Sequence, residues 1–443
     1  MKLTVLGAAS PRFPLLLNSL LRRENLPIDR VCLYDLDRKK LSLLSRTLLP
    51  EILDRGGRRF DLSVAATIEE AFDGADYIFS SIRVGGQRRR ALDETHAVEL
   101  GEIGQETVGI GGFLSALRTI PVMLEHVELI QRHAPQATLI NFTNPSGLVT
   151  QAVHSLSGFS KIVGICDAPQ MVATYVAEIY DVDPEEVQIL SYGLNHYGWV
   201  YSIQVQGMEV LDALLDCQRE AFFAKEPFYK DLEEEMLVTR SIPNEYLYYY
   251  TRRDRVLANQ RNAPLSRAQV ISRLDDELYQ ALDRGGADPI RAFNEYMDRR
   301  NGSYMMLESG KSRSQPAFSL LEQENANGYD AIALDVLGIA SGVLDKQMVL
   351  NIQNNGFDPS LLDEDVVEVS ARRIGGRFLA QGSASALHPS SLKRIREMKE
   401  YERLVIRAVE SRSDTMAIRA LEANPLIRTD PETLWRKMGG FNE

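Results

Sequence analysis

Cysteine, tryptophan and long apolar runs are all scarce in this chain. Its 443 residues include three cysteines (Cys32, Cys166 and Cys217) and two tryptophans. An odd, scattered cysteine set excludes a disulfide framework and suits a reducing compartment, so a cytoplasmic location is expected. No stretch approaches the ~18 consecutive apolar residues of a membrane helix, so no membrane association is expected. The opening apolar run in MKLTVLG is about five residues, short of the roughly 7–15 an export signal needs. Positive charge is also in deficit: 50 Lys and Arg against 62 Asp and Glu leave a net charge of −12. A nucleic-acid binder needs a dense basic face, which excludes nucleic acid as a partner. The clusters Arg88-Arg89-Arg90 and Arg252, Arg253, Arg255 are local. They suit a small anion or a solvated face.

What remains is an ordinary globular composition, 44% hydrophobic and 25% charged, in a chain long enough for two or three domains. The first 200 residues alternate short apolar strands with helical patterns. Strand-like runs begin at Leu3, Val31, Leu62, Tyr77, Thr138 and Lys161. Helical patterns cover Pro14 to Arg23, begun near Ser10 and Pro11, then Lys40 to Leu49 and Phe113 to Gln131. This rhythm predicts an α/β fold, a Rossmann-like doubly wound parallel sheet with both faces covered. After about Asn195 the pattern becomes charged and helix-rich. A tyrosine-dense stretch runs from Ile242 to Arg253, an apolar helix from Ala331 to Leu344, and a strand from Met348 to Gly356. An amphipathic helix from Leu392 to Ser411 follows. Residues 1–195 therefore read as one domain and 196–443 as a tightly packed α+β domain.

In a dinucleotide fold the first strand ends in a glycine-rich turn, and the pyrophosphate rests on the next helix. Here the turn is Gly7-Ala8-Ala9-Ser10, with Ala9 and Arg12 in the later glycine places of G-x-G-x-x-G. A plain strand–turn–helix fits the loop as well as a phosphate cradle does. If Ala9 takes a positive φ, the loop carries about 1 kcal/mol of strain, and Ala9→Gly should tighten cofactor binding. Asp35, at the end of the second strand, would take the adenosine ribose hydroxyls, or cap a helix. Together Gly7, Ala9, Ser10 and Asp35 favour NAD over NADP, since a carboxylate repels a 2′-phosphate.

Four further blocks carry candidate chemistry. They are GEIGQETVGIGG from Gly101, NFTNPSG from Asn141, VGICDAPQ from Val163 and YGLNHYGW from Tyr192. A thiolate from Cys166 and an imidazole from His196, at strand ends facing the crevice, could hold a divalent metal. Equally, Cys166 fits a small core residue, and His196 among aromatics fits simple packing.

In this order the blocks resemble glycoside hydrolase family 4, the NAD- and metal-dependent glycosidases, especially the 6-phospho-glucosidases. The resemblance also takes in IRVGG from Ile82, RALDE from Arg90, IPNEYLYYY from Ile242, SRA from Ser266 and NNG from Asn354. It implies a fold of the lactate/malate dehydrogenase-like superfamily and homodimers or homotetramers. It also implies that Cys166 and His196 bind Mn²⁺ or another divalent cation. Asp167 matches the general acid, Tyr246 the base, and Glu106 a glutamate supporting proton abstraction. Arg90 and Asn144 match substrate contacts, and Arg267 an arginine associated with the sugar phosphate, though Arg267 also suits a plain ion pair.

The implied reaction departs from the usual carboxylate pair of glycosidases. NAD⁺ takes hydride from sugar C3, Tyr246 removes the acidified C2 proton, and the aglycone leaves with a proton from Asp167. Water then adds and the ketone is reduced again. Cys166-Asp167-Ala168-Pro169 resembles the Cys-Asp-x-Pro of β-specific members, so a phosphorylated β-glucoside or disaccharide is the expected substrate. A 6-phospho-α-glucosidase, or a hydrolase of unphosphorylated α-glycosides or uronides, is the alternative within the family. Outside it stand an NAD-dependent 2-hydroxy acid dehydrogenase and a non-catalytic NAD-binding protein. The family's first loop usually reads Gly-x-Gly-Ser, whereas this chain has Ala9 at the second glycine.

Overall fold

A computed structural model describes residues 1–57, 59–286, 288–311, 317–322 and 328–442. Six short strands of the first half are β1 (Lys2–Leu6), β2 (Arg30–Tyr34), β3 (Asp61–Val64), β4 (Tyr77–Ser80), β5 (Thr138–Asn141) and β6 (Ile162–Gly164). They pair in parallel in the order β3-β2-β1-β4-β5-β6, the doubly wound dinucleotide arrangement. β4 and β6 are buried along their whole length, which explains their unbroken apolar runs. β3 lies at the edge and is largely exposed.

Seven strands from the second half extend the same sheet. They are β7 (Val187–Leu194), β8 (Tyr197–Val205), β9 (Met208–Glu209), β10 (Ile242–Pro243), β11 (Met348–Gln353), β12 (Val366–Ile374) and β13 (Arg377–Ala380). The sheet continues past β6 as β11-β12-β7-β8-β10, with antiparallel pairing throughout. β6 and β7, consecutive in the chain, are thus held apart by the β11–β12 pair. The β7–β8 hairpin was not read from the sequence because its turn, Asn195-His196, lies inside a stretch interpreted for chemistry.

The first turn departs from expectation. The helix after β1 runs Phe13–Arg22, not from Ser10, with Pro14 in its first turn. Gly7, not Ala9, takes the left-handed conformation (φ +82°). A Cβ at Gly7 would lie 2.8 Å from the Ser81 carbonyl oxygen, where β1 meets β4. Ala9 has an ordinary negative φ, so the strain expected there does not exist. Its N–H donates to Asp35 Oδ2 at 2.9 Å, tying the loop to the end of β2.

The long helix Pro389–Ser411 lies against this frame and carries the fully buried Lys399. Lys399 Nζ donates to Gln151 Oε1 and to the Val366 carbonyl, each at 2.6 Å, and pairs with Glu402. A charge with three partners is tolerable inside; its removal strands Glu402. Lys399→Ala is therefore expected to cost about 3–5 kcal/mol of stability, measured by urea denaturation.

Candidate active site

A cavity of about 600 Å³ lies along the carboxyl edge of the parallel strands, a size suited to a small-molecule ligand. One end is lined by Asp35 and Leu36, its floor by Gly7, Ala9 and Ser10. The other end is closed by Arg12, Glu106, Asn144 and Arg300. Asp35 accepts from the amides of Ala9 and Asp37 (2.9 and 2.8 Å), so its carboxylate is anchored where the first two strands end. Asp37, not Asp35, caps the next helix, accepting from the Lys40 amide.

Glu106 sits in a two-arginine clamp. Arg83 Nε and Nη2 donate to its two oxygens, and Arg90 Nη1 lies 3.1 Å from Oε2. Burial opposes ionisation of Glu106, but Arg83 and Arg90, with Arg12 beyond, outweigh it and hold the carboxyl well below the usual range. Glu106 is a fixed charge, not a proton acceptor near neutrality. Arg90 is further tied to Glu94 at 2.8 Å. Glycine is required in this segment: a Cβ at Gly111 would land on the Gln105 carbonyl.

Arg12, absent from the sequence-derived set, is the unexpected member. Its guanidinium stands 5.2 Å from the ring centres of Phe142 and Tyr329. Burial and then Arg300 lower its pKa, while Asp167 works the other way. Arg267 shows the same pattern, pushed down to about 10 by burial and by Arg300. Its guanidinium donates to Ser303 Oγ and, at 3.1 Å, to the Arg300 carbonyl. Arg267 does not line the cavity; it buttresses the segment that carries Arg300. Among the described residues, Arg12, Arg267 and Arg300 have no carboxylate within ion-pair distance, so this end of the cavity favours an anion.

Cys166, Asp167, His196 and Tyr246 come together beside that end. Cys166 and Asp167 follow β6, where Asp167 begins the helix Ala168–Tyr180 without its side chain capping it. Cys166 Sγ lies 3.9 Å from Asp167 Oδ1. His196 occupies the β7–β8 turn with φ +62°, and its ring stacks on Tyr246, with centroids 3.7 Å apart and 7° between planes. Its Nδ1 is 3.0 Å from Thr107 Oγ1, and that hydroxyl donates to Gln105 Oε1 at 2.9 Å. Thr107 must therefore accept from Nδ1–H, which leaves the Nε2 lone pair of His196 free. Burial lowers the His196 pKa to about 3, so the ring is neutral at ordinary pH.

The donor chemistry of this group fits a divalent cation. Burial, then Glu368, Asp167 and Glu245, push the Cys166 thiol well up. Burial, then Glu245, Cys166 and Asp167, do the same to the Tyr246 phenol. Acids that oppose one another's ionisation, beside a neutral imidazole with a free lone pair, are balanced by a positive ion. No group of three or more potential metal ligands occurs among the described residues.

Comparison with known proteins decides the family. The sequence profile described as family 4 glycosyl hydrolase matches residues 2–182, and that of the family's C-terminal domain matches residues 191–427. The chain belongs to glycosyl hydrolase family 4. It is similar to the 6-phospho-beta-glucosidase BglT of Thermotoga maritima, 29% identical over 96% of this chain and 94% of that one. The maltose-6′-phosphate glucosidase of Bacillus subtilis is 33% identical, over 51% of this chain and 54% of its own length. A solved structure of the Thermotoga maritima 6-phospho-beta glucosidase, with NAD and glucose-6-phosphate, superposes with a TM-score of 0.80 at 28% identity. It covers 99% of this chain and 97% of that chain. The malate dehydrogenase of Naegleria fowleri shares the fold alone, with a TM-score of 0.55 at 12% identity over 92% of this chain and 98% of that one.

For this family 4 glycosidase, Arg12, Arg83 and Thr107 lie in or beside motifs visible in the sequence, but their roles, like that of Arg300, depend on contacts with distant residues that no motif shows. Arg83 makes a direct test. Glu106 is held below the ordinary ~4.3, so its stabilising contribution is present above that pH and is lost as pH falls through its depressed value. Arg83→Ala should raise the Glu106 pKa toward the ordinary range, read from its carboxyl ¹³C shift. An unmoved titration would mean that Arg90 alone holds the charge.

Proposed function

We propose that this glycosidase hydrolyses 6-phospho-glucosides, the β-linked ones preferred, with NAD and a divalent cation such as Mn²⁺. One observation carries the reading: a dinucleotide-sized cleft ends where unpaired arginines meet the Cys166–Asp167–His196–Tyr246 group. Relatives support it. The chain matches named 6-phospho-beta-glucosidases over nearly its whole length, and the α-type maltose-6′-phosphate glucosidase over about half. Thermotoga maritima structures of the former hold NAD, glucose-6-phosphate and manganese.

Bound NAD would accept hydride at sugar C3, and the cation, held by Cys166 and His196, would polarise the resulting ketone. The chain's own groups do the rest. Tyr246 would remove the C2 proton as a phenolate, the cation's charge offsetting the burial that otherwise keeps its phenol protonated, and Asp167 would give a proton to the departing glycosidic oxygen. Arg12 and Arg300 orient the 6-phosphate, with Arg267 bracing Arg300. Asn144 and Arg90 border the sugar, and Glu106 keeps the arginine set partly neutralised. Gly7, Ala9, Ser10 and Asp35 cradle the dinucleotide within residues 1–195, and residues 196–443 add His196, Tyr246, Arg267 and Arg300 to the sugar and cation site. No helix among the described residues is long and apolar enough to cross a membrane. A phosphorylated substrate suits work in the cytoplasm, and the family resemblance implies a homodimer or homotetramer.

The test is aglycone release from aryl 6-phospho-β- and α-glucosides under reducing conditions. Turnover should require both NAD⁺ and Mn²⁺ and leave no net NADH. Net NADH would indicate a dehydrogenase, and silence with every sugar a non-catalytic protein. Tyr246→Phe should lower kcat by about 10²–10⁴-fold and retain or enlarge a C2-deuterium isotope effect, because slower C2–H cleavage becomes more fully rate-limiting. Because Ala9 is unstrained, Ala9→Gly should leave NAD⁺ affinity within about twofold, measured by calorimetry.

A further inference from the structure

The candidate cation ligands stand on strands separated by two others, and one side chain spans the gap. At one level across the sheet, Gly164 of β6 pairs with Asn351 of β11. Asn351 pairs with Glu368 of β12, and Glu368 pairs with Gly193 of β7. Cys166 lies two residues beyond Gly164, and His196 three beyond Gly193. Glu368, 2% exposed, accepts on one oxygen, Oε1, from Asn195 Nδ2 at 3.0 Å and from Asn351 Nδ2 at 3.1 Å.

The surroundings leave little slack. A Cβ at Gly164 would come within 2.8 Å of Asn351 Cβ, and one at Gly147 within 2.9 Å of Asn195 Cβ. Asn195 immediately precedes His196, whose left-handed backbone aims the imidazole. Freeing Asn195 removes the side-chain anchor of that turn. Freeing Asn351 loosens the strand lying against Gly164. A backbone shift of an ångström at either end would spoil a two-ligand protein site, which has no third ligating side chain among the described residues to compensate.

We infer that Glu368 is a positioning residue for the cation centre, clamping Asn195 and Asn351 so that Cys166 and His196 converge on one ion. This rests on the cation reading above. It does not require Glu368 to touch the ion. Groups that orient metal ligands from behind typically change affinity by about 10–100-fold when removed.

The experiment is a Mn²⁺ titration of the reduced full chain, following free Mn²⁺ by electron paramagnetic resonance, with NAD⁺ affinity measured in parallel. Wild-type binding that is lost in Cys166→Ser establishes the ion's site; no wild-type binding sinks the cation reading itself. Glu368→Ala should weaken Mn²⁺ binding by about 10–100-fold and leave NAD⁺ affinity within twofold. Glu368→Gln should stay within about threefold of wild type, because an amide oxygen accepts the same two hydrogen bonds. Wild-type affinity in Glu368→Ala overturns the inference, as does an equal loss in Glu368→Gln, which would make charge the cause. A matching loss of NAD⁺ binding would mark a general folding defect and also overturn it. Should Glu368→Ala not fold, Asn195→Ala, which removes one arm of the clamp, must show the same selective loss.

Discussion

The insertion of β11 and β12 between β6 and β7 is the constraint on which the rest of the molecule depends. Chain order alone would place β7 beside β6, as consecutive strands usually are. Instead a pair of strands from more than 150 residues later closes the gap and pairs antiparallel on both sides. Cys166 and His196 therefore sit at strand ends held at a separation set by backbone hydrogen bonds. Without the insertion the two halves would be a dinucleotide fold and an unsupported hairpin.

Charge is sorted along the cleft with similar economy. Acidic Cys166, Asp167 and Tyr246 cluster at one place, while among the described residues Arg12, Arg267 and Arg300 have no carboxylate within ion-pair distance, and Asp167 is near enough to Arg12 to raise its pKa. They do not collapse into salt bridges with one another because each is fixed by other contacts. Arg12 lies against aromatic rings, Arg267 on Ser303 and the Arg300 carbonyl, and His196 on Thr107. Glu106, by contrast, is held by Arg83 and Arg90. Burial keeps these opposing tendencies strong, since little water is present to screen them.

Much of this was legible in the sequence, for reasons that differ by element. The strands β1, β4, β5 and β6 announce themselves because they are almost wholly buried and mostly apolar, without the polar alternation of a half-exposed strand. The helices Tyr329–Ser341 and Pro389–Ser411 do so by their length and periodicity, whereas the shorter Asp414–Ala423 and Pro431–Lys437 do not. Cys166, Asp167, His196 and Tyr246 were recoverable because each lies in a short, chemically unusual block. The β7–β8 hairpin was not, because its aromatic residues serve a core and a site together. The helix start at Phe13 was misplaced because the turn from Gly7 to Arg12 uses no capping side chain. Arg12 was read only as a missing glycine.

The sequence by itself determined the dinucleotide frame, the family and the residue types of the candidate site, because these depend on local patterns and short motifs. Only the tertiary structure decided which glycine bears the turn, that Glu106 is clamped by two arginines, and which nitrogen of His196 is free. It alone brought Glu368 to the same level as Gly164 and Gly193. Those facts rest on contacts between residues up to 200 positions apart, and pairing at such distances is set by how strands choose neighbours, which no local stretch of chain encodes.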